Sequence, residues 1–136
     1  MSPRGTLFAL ALGALASLPG CALFRRPPSV LPAELEVTAT AYNSLPDQTK
    51  ANDPRLTASG VRLRPGIHAL AVSDDLYDRG LRFGTRVWIA GIEGEWRVED
   101  RMASRWRKRI DLYLGDDREA AERFGERRVR IRWQAP

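Results

Sequence analysis

From Glu36 onward the chain keeps a period of two, and that period restricts it to a β-structure. Arg128–Trp133 (RVRIRW) sets Val129, Ile131 and Trp133 on one face and three arginines on the other. Successive side chains of a strand point to opposite faces, so this alternation is the pattern of a half-buried strand. Glu36–Tyr42 (EVTATAY) alternates in the same way and is rich in β-branched and aromatic residues. Ile67–Val72, Arg86–Ile89, Glu95–Glu99 and Arg109–Leu114 predict four more strands, the middle two joined by a turn at Gly91–Gly94. Asp74–Arg79 predicts a helical turn stopped by Gly80. A longer helix follows Asp116 or Asp117, with Glu119 in capping-box spacing from Asp116 and Gly125 as its stop. About six strands and one or two short helices, without an internal repeat, predict a mainly β fold closed into a small barrel. The single cysteine, Cys21, lies outside this region, so no disulfide forms within the chain and the packed core must hold the domain.

The first 35 residues read differently. Arg4 is followed by an apolar run, Leu7–Leu18, of 12 residues. Spanning a bilayer takes ~20 residues, so this run fits a signal peptide instead. Leu18-Pro19-Gly20-Cys21 resembles a bacterial lipobox, which implies lipidation of Cys21 and cleavage before it. The alternative is an ordinary secretory cleavage site with Cys21 as one of its small residues. A lone cysteine placed there, and nowhere in the domain, is what an anchor requires. Ala22 in the next position resembles lipoproteins sent to the outer membrane. The expected address is therefore exported and lipid-anchored, on the periplasmic face of the outer membrane. Residues 22–35 hold three of the nine prolines and read as an extended tether. This leaves one domain over 36–134. After removal of Arg4 the mature chain carries +4, which suits partners with exposed carboxylates or phosphates. An exported address argues against nucleic acid.

Asn43–Ser59 is a polar stretch too long for an idle connection in a compact domain, and loops of that length are often functional. Asp111 is out of place within Arg-Ile-Asp-Leu-Tyr, because aspartate is disfavoured in strands. With Ile110 and Leu112 facing the core, Asp111 faces solvent or a groove. Asp100 ends another β-branched run 11 residues earlier, and Arg101–Arg109 forms a loop able to bring the two carboxylates together. Neighbouring carboxylates resist ionising together, so one pKa rises. A carboxylic acid that keeps its proton is what a glycosidic leaving oxygen needs. The bland reading of the same residues pins both aspartates in salt bridges to the surrounding arginines.

Thr40-Ala41-Tyr42, Leu56-Thr57-Ala58-Ser59-Gly60, Gly84-Thr85-Arg86-Val87, Glu99-Asp100, Arg109-Ile110-Asp111-Leu112-Tyr113, Glu119-Ala120 and Phe124-Gly125 occur in one order. That order resembles the three-aspartate (3D) domain shared by membrane-bound lytic transglycosylase A and the stationary-phase survival proteins of spore formers. It is more distantly similar to rare lipoprotein A. The resemblance spans roughly residues 37–133. It implies a six-stranded double-psi β-barrel with Asp111 as acid/base and Asp100 as its partner in the groove. Thr57, Ser59, Gly60 and Tyr42 lie near that groove in the resemblance. The family's first aspartate directly follows Ala-Val, whereas Ser73 follows Ala71-Val72 here, so Asp74 or Asp75 takes that place with a small shift. The family's glycine-rich loop is replaced by Met102-Ala103-Ser104-Arg105-Trp106-Arg107-Lys108.

That loop has two readings. In one, Trp106 stacks on a sugar while Arg105, Arg107 and Lys108 hold carboxylates. In the other, it is a solvated basic loop with Trp106 folded onto the barrel. His68, the only histidine, reads as a surface or satisfied core residue. With one histidine and one cysteine, neither a Ser/His/Asp triad nor a histidine or cysteine metal cluster is available. No cofactor or metal is expected, and the chain is expected to be a monomer. The resemblance implies a lytic transglycosylase acting on peptidoglycan glycan strands. The altered loop favours a second reading, a non-catalytic peptidoglycan-binding lipoprotein. A third is a hydrolase using Asp100 and Asp111 as an acid/base pair.

Overall fold

The computed structural model describes residues 32–45 and 53–135. The expected signal peptide, the lipidation site Cys21 and all but the end of the tether lie outside the described residues. Six strands and two short helices follow one another: β1 (Pro32–Tyr42), β2 (Ala69–Val72), α1 (Asp74–Asp78), β3 (Arg86–Ile89), β4 (Ile92–Arg101), β5 (Arg109–Tyr113), α2 (Arg118–Phe124) and β6 (Arg127–Gln134). The strands close in the order β1-β5-β2-β4-β3-β6. β1 runs parallel to β5 and β2 parallel to β4, while the remaining pairs are antiparallel. These two interlocked parallel crossovers make the double-psi arrangement. Among the described strands, closure leaves no edge open to pair with another chain.

Alternation sorts the side chains between the inside and the outside. Val129, Ile131 and Trp133 of β6, Val87 and Ile89 of β3, and Ile110 and Leu112 of β5 are buried in one core cluster. The arginines of β6 face out. A smaller cluster of Leu63, Ala69 and Tyr113, with Tyr42 and Ile67 against it, pins the segment between β1 and β2 to the barrel.

The elements match the alternation, and their ends differ in instructive places. β1 starts at Pro32, four residues ahead of Glu36, and pairs along its whole outer half with β6, from Pro32↔Gln134 inward. Proline is tolerated there because the first residue of a strand need not donate to the ladder. β4 is ten residues long, and the turn before it is the pair Ala90-Gly91 alone. Gly94, expected in the turn, lies inside the strand at φ +91°, where His68 packs so closely that a Cβ would stand 2.7 Å from its ring. His68 is stacked on Trp96 at 4.7 Å. Asp117 caps α2 by accepting a bond from the Ala120 N–H (2.9 Å), while Asp116 accepts from Ser44 and pairs with Arg55. Among the described residues no helix is long and apolar enough to cross a membrane.

Candidate functional site

One row of residues crosses four neighbouring strands on the outer face of the barrel. Thr40 of β1 is in register with Asp111 of β5, Asp111 with Ala71 of β2, and Ala71 with Asp100 of β4. Ala71 thus separates the two aspartates, which lie two strand spacings apart, roughly 9.5 Å between Cα atoms. Its methyl group leaves a gap between them. The gap is the floor of an open cleft of about 200 Å³ lined by Tyr42, Ala71, Asp100, Arg101, Met102, Ala103, Trp106 and Asp111.

A β-bulge puts Asp100 there. The register passes from Leu70↔Val98 to Ala71↔Asp100, leaving Glu99 as the extra residue on β4. Without the bulge, Asp100 would share the inward face of Val98, two residues before it. With it, Asp100 turns out beside the cleft, and Glu99 is buried against Ser59 of the Thr57–Gly60 loop. Bulges commonly re-aim a side chain in this way. The buried Glu99 carboxylate is satisfied by Ser59, whose hydroxyl donates to it at 2.6 Å and whose N–H donates to the Glu99 carbonyl at 3.1 Å. Thr57 bonds Ser59 (3.0 Å), and Gly60 supplies the positive φ (+87°) that turns the loop. Ala58 then presents its N–H to Asp100 at 3.2 Å. Thr57, Ser59 and Gly60 therefore fasten the bulge and hold Asp100 rather than line the cleft.

Neither aspartate is locked beneath an arginine: among the described ion pairs, none includes Asp100 or Asp111. Burial pushes the Asp111 carboxyl above the usual carboxylate range, against the hydroxyl of Thr40, which donates to it at 2.9 Å, and the charge of Arg109. Burial likewise raises Asp100, opposed by the N–H groups of Arg101 and Ala58. The sequence predicted mutual repulsion as the cause. Desolvation is the cause instead, because a full strand stands between the two groups. Tyr42 is raised by burial and then by the charges of Asp100 and Asp111, and its buried hydroxyl has no hydrogen-bond partner among the described residues.

The basic loop forms the far wall. Met102 is tied to β2 through its N–H to the Val72 carbonyl (2.9 Å). Trp106 is half-buried, with the guanidinium of Arg109 4.3 Å from its ring centroid and that of Arg105 4.9 Å away. Arg105 and Arg107 are not brought to the cleft. Arg107 donates to the carbonyls of Ser104 and Trp106, and so braces its own loop. Asp75 is not brought there either. Its carboxylate accepts the Lys108 N–H (3.0 and 3.2 Å), which holds Lys108 at φ 46° and ends the loop. Arg101 reaches the cleft from β4, paired with Asp74 at 2.7 Å and lying over Tyr77. Among the described residues no three His, Cys, Asp or Glu side chains converge as a metal site needs.

Sequence reasoning missed Thr40, Glu99, Arg101 and Arg109 as parts of the site. Thr40 was within reach, since alternation along β1 turns it outward, opposite to Val37 and Ala39. Glu99 was not, because its burial follows from the bulge.

No family model matches the chain, and no curated protein does. Among solved structures, it is similar to an expansin of Clavibacter michiganensis in its apo form, at 18% identity and a TM-score of 0.49, over 74% of this chain and 50% of that one. It is also similar to MltA from E. coli, at 18% identity and a TM-score of 0.43, over 57% of this chain and 26% of that one. A variant of the Clavibacter expansin in complex with cellohexaose is similar at 19% identity and a TM-score of 0.43. The chain spans about half the length of the expansin and about a quarter of MltA.

Proposed function

We propose that this protein is a cell-wall lipoprotein that cleaves peptidoglycan glycan strands as a lytic transglycosylase, with Asp111 as the acid/base. The observation that carries the reading is an aspartate of raised proton affinity, in no ion pair among the described residues, that accepts a bond from the Thr40 hydroxyl and lines one open cleft with a half-buried tryptophan. Asp111 donates its proton to the oxygen between N-acetylmuramic acid and N-acetylglucosamine as that bond breaks. The sugar left behind carries oxocarbenium character at C1. The Asp111 carboxylate then takes the proton of the muramyl 6-hydroxyl, whose oxygen closes onto C1 and leaves a 1,6-anhydro end. No water enters, so one placed carboxyl suffices where most glycoside hydrolases use two. Asp100 supplies negative charge across the cleft, and Trp106 gives the sugar an apolar wall. Thr40 keeps the Asp111 carboxyl oriented through its hydroxyl.

Purified protein digested with sacculi should release anhydro-muropeptides, identified by mass. Products heavier by one water, with reducing ends, would replace this reading with hydrolysis. Sedimentation with sacculi without any product would leave the second reading, a wall-binding lipoprotein, which the presence of Met102, Ala103 and Trp106 in place of a glycine-rich loop favours. The lipid anchor at Cys21, the outer-membrane address and the monomeric state belong to the same proposal. Labelled palmitate incorporation that is lost in Cys21→Ser tests the anchor.

A further inference from the structure

The wall of the barrel opposite the cleft carries its own constellation. β3 and β6 pair antiparallel with Trp88 in register with Arg132, so both point outward. Arg128, Arg130 and Arg132 repeat along β6 at every second position, all exposed. Arg128 pairs with Glu36, and Arg86 with Glu95. Among the described residues Arg130 and Arg132 form no ion pair. The half-buried Trp88 is a ridge between two hollows. One, of about 260 Å³, is bordered by Glu34, Arg130 and Arg132. The other, of about 210 Å³, is bordered by Thr85, Arg86 and Gln134. The Arg132 guanidinium lies 6.0 Å from the Trp88 ring centroid, which holds the indole from one side.

We infer that this wall is a second binding site, for a glycan chain that bears carboxylates. An indole between two hollows suits a chain of rings passing over it, one ring stacked and its neighbours seated on either side. Arg130 and Arg132 offer planar donor forks that no carboxylate among the described residues pairs with, the geometry that carboxylates fit. Glu34 at the rim accepts from a sugar hydroxyl, and its charge disfavours a surface made only of phosphates. That the natural chain is peptidoglycan rests on the function proposed above. The class of ligand rests on the wall alone.

Isothermal titration of the full-length protein tests the inference with three probes: murein glycan stripped of its stem peptides, uncharged chitohexaose, and phosphatidylglycerol vesicles. A protein with its cleft disabled by Asp111→Asn and Trp106→Ala should still bind the stripped glycan. Adding Arg130→Gln and Arg132→Gln should weaken that binding at least about tenfold. Adding Trp88→Ala instead should also weaken it, with an unchanged circular dichroism spectrum in each case. Chitohexaose should bind more weakly than the stripped glycan. The inference is overturned if the arginine pair can be removed without effect, if the cleft changes alone abolish binding, or if the vesicles bind in preference to the glycan. Release of anhydro-products is scored separately, so failure of the proposed reaction and failure of this site give different results.

Discussion

The β5–β2–β4 wall and the β3–β6 wall are built on the same alternating backbone and face opposite sides of one barrel. The first turns acids outward across a gap, and the second turns bases outward around an indole. On the acidic wall the charged groups are partly withdrawn from water, so their proton affinity is altered and ionisation there is costly. On the basic wall the arginines remain solvated, and their charge is free to meet a partner. The contrast teaches that burial, more than the identity of a charged residue, separates a group poised for proton transfer from one suited to recognition.

The largest effect should come from the acidic wall. Asp111→Asn should lower release of anhydro-muropeptides by about 10²-fold or more, the usual contribution of a general acid, measured by chromatography of digested sacculi. Full activity would sever the link between raised proton affinity and chemistry. Next, Ser59→Ala removes the hydroxyl that satisfies buried Glu99, and a cost of about 1–3 kcal/mol is expected in urea unfolding. Trp106→Ala should weaken glycan binding in the cleft about tenfold, by titration with an inactive background.

A smaller effect tests the sign of the burial argument. The folded pKa of Asp111 is raised above its unfolded value, so its contribution favours folding below the unfolded pKa and is lost as pH rises through the folded one. Asp111→Asn should therefore be more thermostable than the parent at pH 7, with the gap closing as pH falls through the raised folded pKa and gone once pH lies below the ordinary carboxylate range. A gap that widens on acidification would contradict desolvation as the cause. The smallest effect belongs to the basic wall, where Arg130→Gln should change stability by less than about 0.5 kcal/mol.

Much of the barrel was legible because burial on one face imposes a strict period of two, which the residues of β6 and β1 display without help from the rest of the fold. The ends of elements were less so. Gly94 reads as a turn residue until the close packing of His68 shows why a strand needs a glycine there. Within the site, Asp111 announced itself as a carboxylate inside an apolar strand. Asp75 and Arg107 did not announce that they spend their side chains on the backbone of the basic loop, since hydrogen bonds to N–H and carbonyl groups leave no trace in residue order.

The sequence by itself determined that the chain forms alternating strands around an apolar core and that Asp111 points away from that core. Only the tertiary structure decided that Asp100 points the same way. A slip of one residue moves a side chain to the other face of a sheet, and the extra residue at Glu99 is such a slip. It is set by the pairing of β4 with β2 and by the bond from Ser59, 40 positions away, rather than by the residues next to it.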